Sequence, residues 1–417
     1  MGVGRVGMGL DVHFENGDRL LHAVFGEEPV TDGVEQTLPE VDRVGSGGEE
    51  GAVVRSGGLD SLRLQHLGND LRERHAVSLR VDLRTDSGRI DALGGEQDPI
   101  ALHELHAAAA AKPANGHIGP IGSVETVASF DITAGQLPEG IAITRTGDVY
   151  VTLLPLGQVI LVEPDGSWSV VATLDAAFGG ATGIIADATG RLYVGVSSGN
   201  PATQGVHVME RDASTHHIAG TEAIGFPNGL AFDRRGNLYV TDSAAGIVWR
   251  IDRDGAVTPW LAHPLLQGNG AFGLGFPIGA NGIAYDNGTM WIANSEQGSL
   301  VRVPVNPDGS AGSPVLVAAD ALLFGIDGIV LDVHGRVYGA VNVQNTIVRI
   351  DPSSGAFTTI ADAADGLDFP ASLAFGTGQS LRKTMFIVNF AFLDDPAAPT
   401  PPGPGIVKMD VGVPGQP

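Results

Sequence analysis

Between residues 137 and 417 the chain repeats one pattern of apolar and polar positions six times. Each copy starts with a short apolar segment, turns at Gly, Asn or Asp, and continues with an aromatic-bearing segment, as in GFPNGLAFDRRGNLYVTDS at residues 225–243. Short apolar segments bounded by such turns are typical of β-strands. The copies align on a leading polar residue and are spaced by 43, 46, 53, 46 and 45 residues; the leading residues are Glu139, Thr182, Asn228, Asn281, Asp327 and Ser372.

The spacing and the strands within each copy predict the fold. A third segment such as GIVWRID ends at a hairpin turn such as RDGA, where glycine supplies a positive φ, and a fourth apolar segment follows. Four strands in a period of about 40 to 50 residues are the signature of one propeller blade. We therefore predict an all-β fold, a six-bladed β-propeller with four-stranded blades, over residues 117–417. A strand near residues 122–131 is expected to close the last blade, which has little room for a fourth strand of its own.

Residues 1–116 have a different composition. They contain only two aromatic residues, Phe14 and Phe25, and no lysine before Lys112. Such a segment buries little apolar surface. Three interpretations stand side by side: a poorly ordered extension, a product translated upstream of the true start, and a small domain. The HELH sequence at 103–106 lacks a third ligand and is typical of a solvated helix face, so we assign it no function.

Composition excludes several kinds of partner. The formal net charge is −24, and because nucleic acids and anionic membranes bind basic surfaces, neither is an expected partner. The chain has no cysteine, which excludes disulfides and thiolate chemistry. No apolar run approaches the roughly 18 residues of a membrane-spanning helix, and the N-terminus lacks a signal-peptide pattern. The localisation is left unassigned: cytoplasmic by default, and secreted or periplasmic if the start is misassigned.

The six copies resemble the regucalcin/gluconolactonase family of six-bladed propellers over residues 121–417, and more loosely the NHL-repeat propellers. PEGIA, PNGLA, ANGIA and IDGIV place Glu139, Asn228, Asn281 and Asp327 in blades one, three, four and five. The resemblance implies a divalent cation in the central channel, held by Glu139, Asn281 and Asp327. It also implies that Asn228 contacts water or substrate and that Asp327 is the general base. The family's Gly-Glu-Gly-Pro context reads LPEGIA here, and no arginine is evident in the expected substrate loops, which argues against a sugar lactone.

These residue types also fit a cation on chemical grounds. Two carboxylates brought together at the channel repel each other unless a cation or a proton lies between them. With amide oxygens added, the all-oxygen set suits Ca²⁺, Mg²⁺ or Mn²⁺ rather than a soft metal. The expected cofactor is a divalent cation, Ca²⁺ first, with Mg²⁺, Mn²⁺ or Zn²⁺ as alternatives. Polar residues before glycine also suit tight turns, which is the expected role of Thr182 and Ser372. Glu139 is the most informative residue, because Glu is a poor turn former.

The connection before the fourth copy, residues 263–282, is longer and more apolar than its counterparts. Because it ends beside Asn281, we interpret it as a lid or substrate wall lined by Phe272 and Phe276. The alternative interpretation is an ordinary connection between blades.

The leading functional hypothesis is a metal-dependent hydrolase that acts on a lactone or related ester, a small-molecule substrate. Two alternatives remain at this point. One is a non-catalytic NHL-type propeller that binds a ligand or a protein partner. The other is a lyase or synthase similar to the strictosidine-synthase-like propellers.

Overall fold

The computed structural model describes the backbone of six strands between residues 8 and 83, together with residues 122–176, 180–394 and 401–416. The chain divides into two compact units, Met1–Gln97 and Asp98–Pro417. The HELH sequence at 103–106 lies outside the described residues. Within the described parts, no helix has the length and apolar character that a membrane crossing requires.

The first unit contains two antiparallel sheets. One is the hairpin of β1 and β2, and the other holds four strands in chain order. Their bounds are β1 (Met8–Glu15), β2 (Asp18–Phe25), β3 (Asp42–Val44), β4 (Gly51–Ser56), β5 (Leu59–His66) and β6 (Leu79–Leu83). The three interpretations of residues 1–116 all stay predictions.

The second unit consists of six four-stranded antiparallel sheets, which confirms the predicted all-β, six-bladed propeller. In blades one to five the four strands pair in chain order. Blade one holds β8 (Pro138–Ile143), β9 (Val149–Leu153), β10 (Gln158–Val162) and β11 (Trp168–Thr173); blade two holds β12 (Gly180–Ala186), β13 (Leu192–Ser197), β14 (Gly205–Met209) and β15 (Thr215–His217). Blade three holds β16 (Pro227–Phe232), β17 (Leu238–Asp242), β18 (Ile247–Ile251) and β19 (Val257–Ala262); blade four holds β20 (Ala280–Asp286), β21 (Thr289–Asn294), β22 (Ser299–Pro304) and β23 (Val315–Ala319). Blade five holds β24 (Ile326–Leu331), β25 (Val337–Val341), β26 (Thr346–Ile350) and β27 (Phe357–Ala361).

Blade six joins the two ends of this unit. Its sheet runs β28 (Pro370–Phe375), β29 (Thr384–Asn389), β30 (Gly405–Asp410) and then β7 (Glu125–Ser129), with the short helix α1 (Gly378–Leu381) between β28 and β29. The first strands of consecutive blades contact one another, and β28 contacts β8, so the ring is closed. Pairing β7 with β30 removes the exposed edge that the last blade would otherwise present.

The apolar core lies between neighbouring blades. Because successive side chains of a strand point to opposite faces of the sheet, each blade packs against both of its neighbours. Six buried clusters fill the six interfaces; in one of them Val151 and Ile160 of blade one pack with Phe386 and Ile406 of blade six. The side chains in the middle of the strands are thus buried between blades. Side chains at the starts of the first strands and in the turns are the ones that can contact a ligand.

Candidate functional site

The first strand of every blade starts with a β-bulge. In blade one, Pro138 pairs with Leu153 and Ile141 pairs with Val151, so Glu139 and Gly140 together oppose Thr152. The register shifts at the same place in the other five blades. A bulge bends the strand and re-aims its side chains. The leading polar residues of blades one to five occupy these bulges: Glu139, Thr182, Asn228, Asn281 and Asp327.

The glycine that follows the leading residue in blades one to five lets neighbouring blades approach closely. A Cβ atom on Gly282 would lie 2.2 Å from the carbonyl oxygen of Asp327, and one on Gly229 would lie 2.4 Å from that of Asn281. No residue with a side chain fits without moving the backbone of the next blade. The repeated polar-glycine pair therefore meets two separate needs, with the glycine serving the packing of blades and the polar residue serving the channel.

Hydroxyl groups of the second strands fix the position of the next blade. Thr152 Oγ1 donates to the carbonyl oxygen of Thr182, and Thr241 Oγ1 donates to that of Asn281, each at 2.7 Å. Ser295, directly after the second strand of blade four, donates through Oγ to the carbonyl oxygen of Ile326 at 2.7 Å. These buried bonds orient the bulges on which the leading side chains stand.

The structure brings the sequence-predicted polar residues together at one cavity of about 1690 Å³ along the channel. Glu139, Asn228, Asn281 and Asp327 all line it. Their exposed fractions are 6, 7, 4 and 8 %, respectively, so all four are buried. Four buried polar side chains from four different blades thus line one cavity.

Burial raises the pKa of both carboxyl groups. It raises the pKa of Asp327 from the ordinary 3.8 to about 7, while hydrogen bonds from the amides of Asn342 and Asn281 act in the opposite direction. Burial, followed by Coulomb repulsion from Asp327, raises the pKa of Glu139 well above its usual range. Carboxyl groups in this situation either retain a proton or neutralise their charge with a cation.

Two buried oxygen atoms of this cluster have no hydrogen-bond partner among the described residues: Glu139 Oε2 and Asn281 Oδ1. Hydrogen bonds hold the side chains of this cluster in place. Asn281 Nδ2 donates to Ser295 Oγ at 2.9 Å, and Asn342 Nδ2 donates to Asp327 Oδ2 at 3.1 Å. A buried acceptor without a donor is costly, and a cation would satisfy both.

The donor set fits a hard cation. In the described parts of the chain, no three histidine, cysteine or acidic side chains are placed to hold a metal together. The candidate set has only two carboxylates and is completed by amide oxygens, an all-oxygen combination of the kind that Ca²⁺ accepts. Glu139, Asn281 and Asp327 are therefore the residues that could hold an ion.

Blades two and six contribute differently. Thr182 Oγ1 donates to the carbonyl oxygen of Pro227 at 2.5 Å, so its hydroxyl bridges two blades rather than bonding within its own turn. In blade six the bulged position equivalent to Glu139 is Ala371, because a Cβ on Gly328 would meet the Ala371 carbonyl oxygen at 2.7 Å. Ser372 therefore stands where the other blades have glycine, one place beyond the leading position that the sequence alignment gave it.

Phe272 and Phe276 lie outside the wall of the cavity. Phe272 is buried and its ring centroid is 4.9 Å from that of Phe324. Phe276 is 39 % exposed, with its ring centroid 5.5 Å from that of Phe226. Phe272 belongs to a buried apolar cluster formed by loops before the first strands and after the second strands, and Phe276 contacts this cluster through Phe226. Their assignment to substrate binding stays a prediction.

Three supporting residues escaped sequence reasoning. Asn342 and Ser295 hold Asp327 and Asn281, as described above. Glu296 is buried and accepts the backbone N–H groups of Asn269, Gly270 and Phe272 at 2.6, 2.6 and 3.2 Å, which ties the long loop to the end of β21. All three follow second strands, where the repeat pattern carries no signal for a polar contact.

Comparison with known proteins places this fold. Residues 277–390 match a family model described as an SMP-30/Gluconolactonase/LRE-like region. No curated protein sequence matches the chain. Among solved structures, a calcium-binding protein, regucalcin, from Agrobacterium tumefaciens has a TM-score of 0.55 at 16 % identity, with 72 % of this chain and 96 % of that one covered. A luciferin-regenerating enzyme has a TM-score of 0.54 at 18 % identity, covering 72 % and 98 %. A gluconolactonase from Xanthomonas campestris has a TM-score of 0.52 at 17 % identity, covering 70 % and 89 %.

At these identities the solved structures establish the fold alone, and the matched region is the more specific link. It spans blade four, blade five and the inner strands of blade six, and so includes Asn281 and Asp327. The chain is thus a six-bladed β-propeller whose residues 277–390 are similar to the SMP-30/Gluconolactonase/LRE-like region.

Proposed function

We propose that this propeller is a divalent-cation-dependent hydrolase that acts on a lactone or a related ester. The observation that carries the proposal is the pair of buried, unpartnered acceptor oxygens, Glu139 Oε2 and Asn281 Oδ1, beside two carboxyl groups with raised pKa values. A polar cluster of this kind destabilises a fold unless it serves a ligand.

Each residue of the cluster has a role in this proposal. Glu139, Asn281 and Asp327 hold the ion, for which Ca²⁺ is the first candidate and Mg²⁺, Mn²⁺ and Zn²⁺ are alternatives. When bound, a divalent cation polarises a carbonyl oxygen and lowers the pKa of a water molecule. Asp327 accepts the proton of the attacking water, and Asn342 fixes its carboxylate by the 3.1 Å hydrogen bond. Asn228 contacts substrate or water from blade three.

The loops that precede the first strands complete the proposed site. Phe276 is partly exposed and contacts Phe226, Phe272 is buried in the apolar cluster of these loops, and Glu296 accepts backbone N–H groups of the loop that carries both rings. We assign them the recognition of the substrate's apolar part. The family match supports the hydrolase class, since it includes Asn281 and Asp327, and the names of the regucalcin and gluconolactonase relatives suggest the first ions and substrates to try.

Calorimetric titration of the chelator-treated protein with Ca²⁺, Mg²⁺, Mn²⁺ and Zn²⁺ tests the ion site. Asp327→Ala should abolish tight binding. Thr182→Ala is the matched control, because Thr182 occupies the same bulge in blade two, and it should retain the affinity. Full cation affinity in Asp327→Ala would overturn the site.

A panel of lactones and esters tests the reaction. The wild-type protein should hydrolyse at least one of them in a cation-dependent manner, and Asp327→Ala should lose about 100-fold or more in kcat/KM, as expected for a general base. Tight cation binding without hydrolysis of any substrate in the panel would argue against the enzyme and for a binding module.

A further inference from the structure

The opposite end of the channel carries an unusual concentration of arginine. Opposite the leading residues, the first strands turn back into the second strands, roughly 17 Å away for five residues of extended chain. Six arginines line the same cavity at this end, from turns of blades one, two, three and six: Arg145, Arg191, Arg234, Arg235, Arg253 and Arg382. We refer to these six residues as the arginine mouth.

The arginine mouth is positive in an acidic chain. The formal net charge of the whole chain is −24, yet six of the eleven arginines in residues 122–416 lie here. Three aspartates, Asp187, Asp233 and Asp286, line this end of the cavity as well, so six positive charges against three negative ones leave an excess of three. A concave surface with an excess of one sign of charge focuses the potential and attracts ions of the opposite sign.

Two of the three aspartates in the arginine mouth already accept hydrogen bonds from neighbouring residues. Asp187 Oδ2 accepts from Arg191 Nε at 2.8 Å, and Asp233 Oδ1 accepts the backbone N–H groups of Arg235 and Asn237 in its own turn. Arg234 and Arg235 use one amino group each, on Asn287 and on the carbonyl oxygen of Pro307.

Three guanidinium groups of the mouth are left for a ligand. Among the described residues, the side chains of Arg145, Arg253 and Arg382 make no hydrogen bond or ion pair. Arginine binds carboxylate through two parallel N–H···O bonds, a geometry that a single freely placed guanidinium provides.

The wall between the mouth and the polar cluster is mainly apolar. It is formed by side chains of the first strands and the turns after them, among them Ile143, Ile185, Phe232, Tyr285, Leu331 and Phe375. A small inorganic anion would gain nothing from this surface, whereas a hydrocarbon body would be removed from water along it.

We propose that the arginine mouth is a binding site for an organic carboxylate with an apolar body, with the carboxylate on Arg145, Arg253 and Arg382 and the hydrocarbon inside the channel. The site is argued without the candidate ion, which lies at the other end. Its link to catalysis rests on the proposed function: hydrolysis of a lactone or ester yields a carboxylate, and the mouth would draw that product away from the acidic cluster.

Titration calorimetry of the chelator-treated protein with octanoate tests the proposal. Octanoate should bind saturably and at least about tenfold more tightly than neutral octanamide, since one charge-assisted hydrogen bond accounts for that ratio. The double variant Arg145→Gln/Arg382→Gln should lose about tenfold or more. The matched control Arg302→Gln/Arg349→Gln removes two arginines outside the cavity and should bind as the wild type does. Equal affinity in the two double variants, or no preference over octanamide, would overturn the proposal.

The lack of cysteine permits a second, local measurement. Gln379→Cys places one thiol on exposed residue 379, which lines the mouth, and Ala245→Cys places one on the exposed turn between β17 and β18. Octanoate should slow alkylation at position 379 and leave position 245 unaffected; equal effects at both would contradict the site. Neither experiment uses metal or turnover, so failure here leaves the hydrolase proposal standing, and failure of the hydrolase tests leaves this site standing.

Discussion

Blades one, four and five differ from blades two and six by one side chain at the same backbone position. All five first strands start with a bulge. In the first group the bulge carries Glu139, Asn281 or Asp327, which line the cavity, whereas blade two has Thr182 and blade six has Ala371. The backbone geometry therefore belongs to the fold, and the side chain alone makes the site. Three variants test whether the backbone geometry and the site are separable in this way.

The largest effect is expected from the glycine that follows the leading residue in blades one to five and is replaced by Ser372 in blade six. Gly282→Ala in blade four places a Cβ 2.2 Å from the carbonyl oxygen of Asp327. Because backbone must move, we expect a loss of about 3 kcal/mol in the free energy of unfolding, the upper end for overpacking, together with weakened cation binding. Urea unfolding measures the first and calorimetry the second.

Gly225→Ala is the control, since its Cβ would meet Asp242 at an ordinary 3.4 Å. A loss in Gly282→Ala no larger than in this control would show that the blades tolerate a side chain at the bulge, and the packing role of the glycine would be wrong.

The second effect is a pH dependence specific to the carboxylate blades. The pKa of Asp327 is about 7 in the folded chain and ordinarily 3.8. Between these values the folded state keeps a proton that the unfolded state has released. The metal-free protein should therefore lose stability as pH rises from about 4 to about 7. Asp327→Asn cannot ionise and should escape this loss.

The measurement is the difference in Tm between Asp327→Asn and wild type in chelator, followed across this pH range. It should grow with pH, because titrating groups remote from Asp327 cancel in the difference and the pKa of Glu139 is raised less once the charge of Asp327 is removed. Excess Ca²⁺ should raise the Tm of the wild-type protein most at the alkaline end of this range, since the cation binds the deprotonated carboxylates of Glu139 and Asp327. A difference that is flat with pH would contradict the raised pKa of Asp327.

The smallest effect is expected in a blade without a channel side chain. Thr182→Val keeps the shape and removes the hydroxyl that donates to Pro227. Stability should fall by about 1 kcal/mol, the value of one hydrogen bond, and cation affinity should stay unchanged. Altered cation affinity would show that blade two takes part in the site after all.

Much of the fold could be predicted from the repeat. Apolar segments at a regular period, with glycine in the hairpin turns, allow few other architectures, and the confirmed six blades follow from that regularity. The sixth blade shows the limit. FPASLAF suggests Ser372 as the leading residue, because serine is polar, but the position of Ala371 against Gly328 shows that the alignment is one residue off.

The site was predictable only in its leading residues. Glu139, Asn228, Asn281 and Asp327 stand at equivalent places in a repeat, so their convergence follows from the symmetry of the ring. Asn342, Ser295 and Glu296 follow second strands, in stretches where the pattern is set by turns. Their hydrogen bonds depend on which loop lies opposite, and a single sequence contains no signal for that.

The strands, the turns and the six-fold repeat follow from the amino-acid sequence, because these depend on local patterns of side-chain polarity and backbone freedom. The differing side chains at the starts of blades one to five follow from it as well. The folded ring was needed to show that two of these carboxyls share a buried region, that Phe272 and Phe276 lie outside the cavity wall, and that six arginines gather at the far mouth. Burial and proximity across blades set the pKa values and the charge of each end, and these arise only when distant parts of the chain close into a ring.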